Sequence, residues 1–62
     1  MQNLNRSELE YLRKIIIIAE TLYNKYTNYA EYSVDPQIKQ IFNKAAEEQL
    51  INKQKLVNFL ND

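Results

Sequence analysis

The chain is a single small domain of 62 residues whose charges cancel, with eight basic and eight acidic side chains. The absence of cysteine excludes disulfides, and the absence of histidine removes the commonest nitrogen ligand for a metal. Nucleic-acid-binding proteins normally carry a basic face, so the balanced charge predicts no nucleic-acid partner. A single core of this size supplies only about 3–5 kcal/mol, which makes oligomerisation the expected stabiliser.

The apolar run Ile15–Ala19 is the feature that bears on membrane insertion and secretion. It is far shorter than the roughly 20 apolar residues of a membrane span, and it lies away from the N-terminus, where a secretory signal is found. We therefore expect a cytoplasmic protein with no membrane partner. The abundance of Asn, Ile, Lys and Tyr, which A/T-rich codons encode, favours a low-GC bacterium as its source.

The first predicted element is a helix from about residue 8 to about residue 33. Ser7 and Glu10 have the spacing of a capping box, in which each side chain accepts from the other residue's backbone N–H. Four consecutive isoleucines favour a strand by propensity alone, but no second strand is predicted that would pair with them. The apolar residues instead recur at the three- and four-residue steps of a helix. They are Leu12, Ile15, Ile16, Ala19, Leu22, Tyr23, Tyr26 and Ala30.

Asp35-Pro36 separates this helix from a second one, predicted from about residue 36 to about residue 60. Asp35 is a favourable N-cap, and Pro36 fits a first turn, where its missing N–H costs nothing. Proline also disfavours a helical conformation at the residue before it, which helps to end the first helix. The apolar residues of the second helix cluster at its two ends. They are Ile38, Ile41, Phe42, Ala45, Leu56, Phe59 and Leu60.

The middle of the second helix is polar, because Gln49, Asn52 and Lys53 interrupt its apolar stripe. One interpretation is a polar layer that sets register or oligomeric state, as a buried Asn does in coiled coils. The other is a slightly rotated helix that leaves these side chains at the rim. The sequence favours neither.

The short link requires the two helices to be antiparallel neighbours, so the predicted fold is an all-α two-helix hairpin. The first helix carries more apolar surface than a single interhelical seam can cover. A homodimer of two hairpins, forming a four-helix bundle with two-fold symmetry, is the simplest way to cover the rest. The predicted dimer interface consists of Ile15, Ile18, Leu22 and Tyr26.

Three segments carry a family resemblance: 20–30 (ETLYNKYTNYA), 35–42 (DPQIKQIF) and 45–49 (AAEEQ). Together they resemble the small ferritin-like spore coat proteins, the spore coat F-like family of spore-forming Firmicutes, over about residues 8–60. The resemblance implies a ferritin-like half-bundle and a structural role in the spore coat. Other coat or helical proteins are then possible partners besides a second copy.

The resemblance also bears on metal binding. Ferritin-like sites combine a glutamate on one helix with a Glu-x-x-His motif on another. By this resemblance Glu20 and Glu48 occupy the two glutamate positions, and the histidine position falls on Ile51, which cannot bind a metal. We therefore expect no metal and no cofactor, with Glu20 and Glu48 as residual candidates that are more simply explained as solvated rim carboxylates.

The sequence offers no catalytic constellation. It lacks His, Cys and a glycine-rich phosphate loop, and it shows no convincing acid–base pair. We predict a structural or assembly protein, spore-coat-like, that acts through helix-mediated self-association, with no enzymatic activity and no small-molecule substrate. The alternatives are a small helical adaptor or regulator and a degenerate ferritin-like metal-binding protein.

Overall fold

The computed structural model describes residues 4–61, which form two long helices. Helix α1 comprises Arg6–Tyr32 and helix α2 comprises Pro36–Asn61. No strand occurs within residues 4–61. The helices pack side by side in a hairpin about 46 Å long and 16 Å wide. The predicted all-α hairpin is therefore confirmed.

Helix α1 begins with a capping box formed by Asn5 and Glu8. Asn5 Oδ1 accepts from the Glu8 N–H at 2.8 Å, and Glu8 Oε1 accepts from the Asn5 N–H at 3.2 Å. The capping box predicted for Ser7 and Glu10 is therefore wrong. Asn and Ser are comparable caps, and both have a glutamate three residues later, so spacing alone does not choose between them.

The earlier start adds about half a turn to α1, in which Leu9 is half-buried. Glu10, released from the predicted cap, lies 3.5 Å from the Arg6 side chain one turn before it.

The link between the helices consists of residues 33–35. Ser33 is extended, its Oγ donates to the Tyr29 carbonyl at 2.6 Å, and its N–H donates to the Ala30 carbonyl at 3.3 Å. Asp35 Oδ1 accepts from the backbone N–H groups of Gln37 at 2.8 Å and Ile38 at 3.3 Å. Asp35 is thus the N-cap of α2, as predicted, with Pro36 in the first turn.

Side chains that are buried or half-buried form a seam between the helices. They recur at alternating three- and four-residue steps, which is the spacing of a coiled coil. From α1 the seam takes Leu9, Leu12, Ile16, Ala19, Tyr23, Tyr26 and Ala30; from α2 it takes Phe42, Ala46, Gln49, Lys53, Leu56 and Leu60.

The hairpin has a thin interior. Within residues 4–61 the buried residues are Ala19, Ala30 and Ala46, and no large side chain is fully buried. Alanine allows the helix backbones to approach closely but removes little apolar surface from water, and stabilisation scales with that surface. The interior of one hairpin is therefore a weak source of stability.

The most developed packing lies near the link, where aromatic side chains of both helices meet. The rings of Tyr26 and Phe42 stack with centroids 6.5 Å apart, and Tyr29 meets Phe42 edge-on at 5.3 Å. Such arrangements contribute about 0.5–1.5 kcal/mol beyond the area they bury. This cluster holds α2 against the last turns of α1.

Candidate association surface

One side of the hairpin, which we call the lateral face, is rich in exposed apolar side chains. On α1, Tyr11, Ile15 and Ile18 leave between 47% and 61% of their area exposed. One turn of helix returns to the same side every three or four residues, which extends this row along the helix. The lateral face consists of Tyr11, Ile15, Ile18, Leu22 and Tyr29 of α1 and Ile38, Ile41, Ala45 and Phe59 of α2.

A groove of about 290 Å³ shows that the two helices present this face on the same side. It is lined by Ile15, Ile18 and Ala19 from α1 and by Gln49, Asn52, Lys55 and Leu56 from α2. Nearer the link, Ile41 and Ala45 lie four residues apart on the same side of α2 and line a second groove with Lys44 and Glu48. Ile41 and Asn52 lie about three helical turns apart on one side of α2, so the lateral face includes both helices, although the middle of α2 is polar there.

The opposite side of the hairpin is polar at the same position along its long axis as the groove that contains Ile15 and Ile18. A groove there is lined by Ala19, Glu20, Tyr23, Asn24, Gln49, Leu50 and Lys53. Lys53 Nζ lies 3.1 Å from Glu20 Oε1, and both side chains are partly exposed. The ion pair joins α1 to α2 at the middle of the hairpin. The two sides of the hairpin thus differ in chemistry at its middle.

The four residues predicted for a dimer interface fall in different places. Ile15 and Ile18 are on the lateral face and more than 45% exposed. Leu22 is half-buried between that face and the seam. Tyr26 belongs to the seam and stacks on Phe42 of the same chain, while Tyr29, three residues later, stays exposed on the lateral face.

Sequence reasoning did not assign Ile38, Ile41 and Phe59 to the same surface as Ile15 and Ile18. These α2 residues were grouped with the apolar stripe that faces α1, yet they are 39–61% exposed. Periodicity alone could not separate the seam from the flank, because that division depends on the rotation of each helix against the other.

The candidate carboxylates for a metal are not brought together within one chain. Glu20 pairs with Lys53, whereas Glu48 lines the groove that contains Ile41 and Lys44. Glu48 and Lys53 are separated by about 140° around α2. Ile51, at the position of the missing histidine, is 47% exposed and does not line the groove beside Glu20. Within the described part of the chain, no cluster of three or more acidic residues could hold a metal ion.

The polar middle of α2 divides between seam and surface. Gln49 and Lys53 are half-buried in the seam, whereas Asn52 is exposed on the lateral side. Both interpretations of this segment therefore describe part of it. Gln49 and Lys53 form a polar layer between the helices, and Asn52 lies at the rim.

Neither described helix is long and apolar enough to cross a membrane. No family model matches the chain, and no curated protein or solved structure shows significant similarity to it.

Proposed function

We propose that this chain is a structural assembly protein that functions by self-association of its hairpins through the lateral face. One observation carries the proposal: large apolar side chains stay exposed on the lateral face, while no large side chain among the described residues is fully buried. The buried residues described are three alanines, whereas Ile15, Ile18 and Ile41 leave about half or more of their area in water.

The total surface supports the same conclusion. The hairpin exposes 5058 Å², several hundred Å² more than the roughly 4,200 Å² expected of a compact monomer of 7.4 kDa. A stable interface removes about 800 Å² from each partner, which is of the same order as this excess. A second hairpin seated on the lateral face would bring the exposed area per chain close to the value for a compact protein.

Charge does not oppose association of identical chains. The net charge is zero, so two copies do not repel each other through their overall field. The resemblance of residues 8–60 to spore coat F-like proteins supplies a cellular setting, in which the dimer packs into a larger coat. That setting rests on the three segments that resemble the family. Transcription confined to late sporulation in the source organism would support it. Vegetative expression would favour the adaptor alternative.

Light scattering coupled to size-exclusion chromatography tests self-association. We expect twice the monomer mass of 7.4 kDa at micromolar concentration, and the monomer mass after Ile18→Glu. Ile17→Glu is the matched control, because Ile17 is 61% exposed and Ile18 is 56% exposed but the two lie about 100° apart on α1. A wild-type protein that remains monomeric, or Ile17→Glu and Ile18→Glu variants of equal mass, would contradict the proposal.

A further inference from the structure

We infer that two copies pair crosswise, with a two-fold axis perpendicular to the long axis of the hairpin and passing close to Ile18. In this arrangement α1 lies antiparallel on α1 of the second copy, and α2 lies antiparallel on α2. The inference rests on the self-association proposed above and adds which residues meet.

The register within one hairpin locates its middle. Near the link, Tyr26 lies against Phe42. Seven residues earlier on α1 and seven later on α2 are Ala19 and Gln49, which line the same grooves. Ala19 is also close to the centre of Arg6–Tyr32. Ile18, its neighbour on the lateral face, therefore lies halfway along the hairpin.

On the lateral face, the apolar side chains of the two helices lie at different positions along the long axis of the hairpin. On α1 the aliphatic side chains of this face occupy the middle, at Ile15, Ile18 and Leu22, with Tyr11 and Tyr29 on either side of them. On α2 the apolar side chains occupy the two ends, with Ile38 and Ile41 near the link and Phe59 near the open end. The middle of α2 presents polar side chains on this face, namely Glu48, Asn52 and Lys55.

Two hairpins can pair face to face with two-fold symmetry in two ways. In either one, the same surface patch of both copies forms the interface, so the patch must be complementary to itself. If the axis runs along the hairpin, α1 lies on α2 of the second copy at equal height. Ile15 and Ile18 then cover Asn52 and Lys55, because these four residues line one groove and so share a height. Covering an amide and an ammonium group with isoleucine leaves them without hydrogen-bond partners, which is unfavourable.

The crosswise arrangement matches apolar with apolar side chains. Ile18 meets Ile18 of the second copy at the axis, and Ile15 meets Leu22 on either side of it. Tyr11 and Lys25 each lie seven residues from Ile18, so the ammonium group of one copy reaches the ring of the other, a favourable contact.

In the register above, Ile18 is level with Leu50, so on α2 the same axis brings Ile41 opposite Phe59, each nine residues from Leu50. The polar middle of α2 then faces the same segment of the second copy, and water molecules can bridge the polar groups of the two segments. Glu48 and Asn52 each lie two residues from Leu50, so the carboxylate of one copy faces the amide of the other. The crosswise pairing therefore keeps isoleucine away from the polar segment.

Cysteine cross-linking tests the pairing, because the chain has no cysteine of its own. In the crosswise dimer the two sulfurs of Ile18→Cys face each other across the axis. We expect Ile18→Cys to form a disulfide-linked dimer on mild oxidation roughly tenfold or more faster than Ile17→Cys, because only its thiols are held together at a high effective concentration.

A mixture of two variants distinguishes the lengthwise alternative. Ile15→Cys mixed with Leu22→Cys should give the mixed disulfide in the crosswise dimer, and this second pair preserves the test if Ile18→Cys does not fold. A mixed disulfide between Ile18→Cys and Asn52→Cys, with neither of the expected links, would overturn the inference. In that case a dimer mass in solution would leave the proposed self-association intact, whereas a monomer mass would contradict the proposed function itself.

Discussion

Lys53 of α2 and Glu20 of α1 form an ion pair across the middle of the hairpin, with Nζ and Oε1 3.1 Å apart. Lys53 occupies a seam position, where a coiled coil normally places an apolar side chain. Its stem passes beside Ala19 and Gln49 along one groove, and its ammonium group reaches Glu20 at the edge. The pair thus marks a polar layer that interrupts the hydrophobic contact between the helices.

Substitution of Glu20 by glutamine tests the contribution of this pair. Because both side chains are partly exposed, we expect a loss of at most about 1 kcal/mol in the free energy of unfolding. Urea unfolding followed by circular dichroism would measure it, and the loss should shrink in 1 M NaCl as salt screens the charges.

Glu10→Gln is the matched control for Glu20→Gln. It removes an ion pair with Arg6 inside a single helix, which is worth about 0.2–0.5 kcal/mol. If both substitutions lowered the free energy of unfolding equally, the ion pair between the helices would stabilise the protein no more than an ion pair within one helix.

Gln49→Leu should stabilise the protein. Gln49 is half-buried in the seam between Ala19 and Leu56, and a leucine of similar size would add apolar contact at a coiled-coil position. We expect the free energy of unfolding to rise by about 1 kcal/mol. The measurement is again the urea midpoint.

Gln54→Leu provides the comparison for Gln49→Leu, since Gln54 is exposed and its replacement should change the urea midpoint little. Polar seam residues can specify pairing at a cost in stability. The Gln49→Leu protein should therefore also be examined by light scattering for a change of mass. A fall in its urea midpoint would contradict the assignment of Gln49 to the seam.

Asp35→Ala should weaken the start of α2. The carboxylate accepts from two backbone N–H groups, those of Gln37 and Ile38, and removal of an N-cap typically costs about 1 kcal/mol. Thermal unfolding would show the loss as a lower Tm. Asp35→Asn keeps the acceptor and should retain most of the stability, so equal losses in the two variants would argue against the capping role.

Much of the hairpin could be predicted because its determinants are local. The N-cap at Asp35 and the first turn at Pro36 follow from rules that involve neighbouring residues only. The start of α1 could not be predicted as reliably, because Asn5 and Ser7 both precede a glutamate at the required spacing. Local rules rank Asn and Ser about equally as caps, so they do not choose between the two.

The candidate association surface could not be identified without the rotation of each helix against its neighbour. Periodicity placed Ile15 and Tyr26 in one broad apolar stripe, although Ile15 is on the lateral face and Tyr26 stacks on Phe42. A stripe wider than one seam shows that surplus apolar surface exists. It does not show which residues form the surplus, because that division depends on the rotation of each helix against its neighbour.

The sequence by itself determined two helices, their antiparallel connection and an excess of apolar surface, since these depend on local propensity and helical periodicity. Only the tertiary structure decided that Gln49 and Lys53 lie in the seam and that Glu20 and Glu48 belong to different grooves. These are consequences of packing, in which a small rotation of one helix exchanges the side chains that face its neighbour for those that face water.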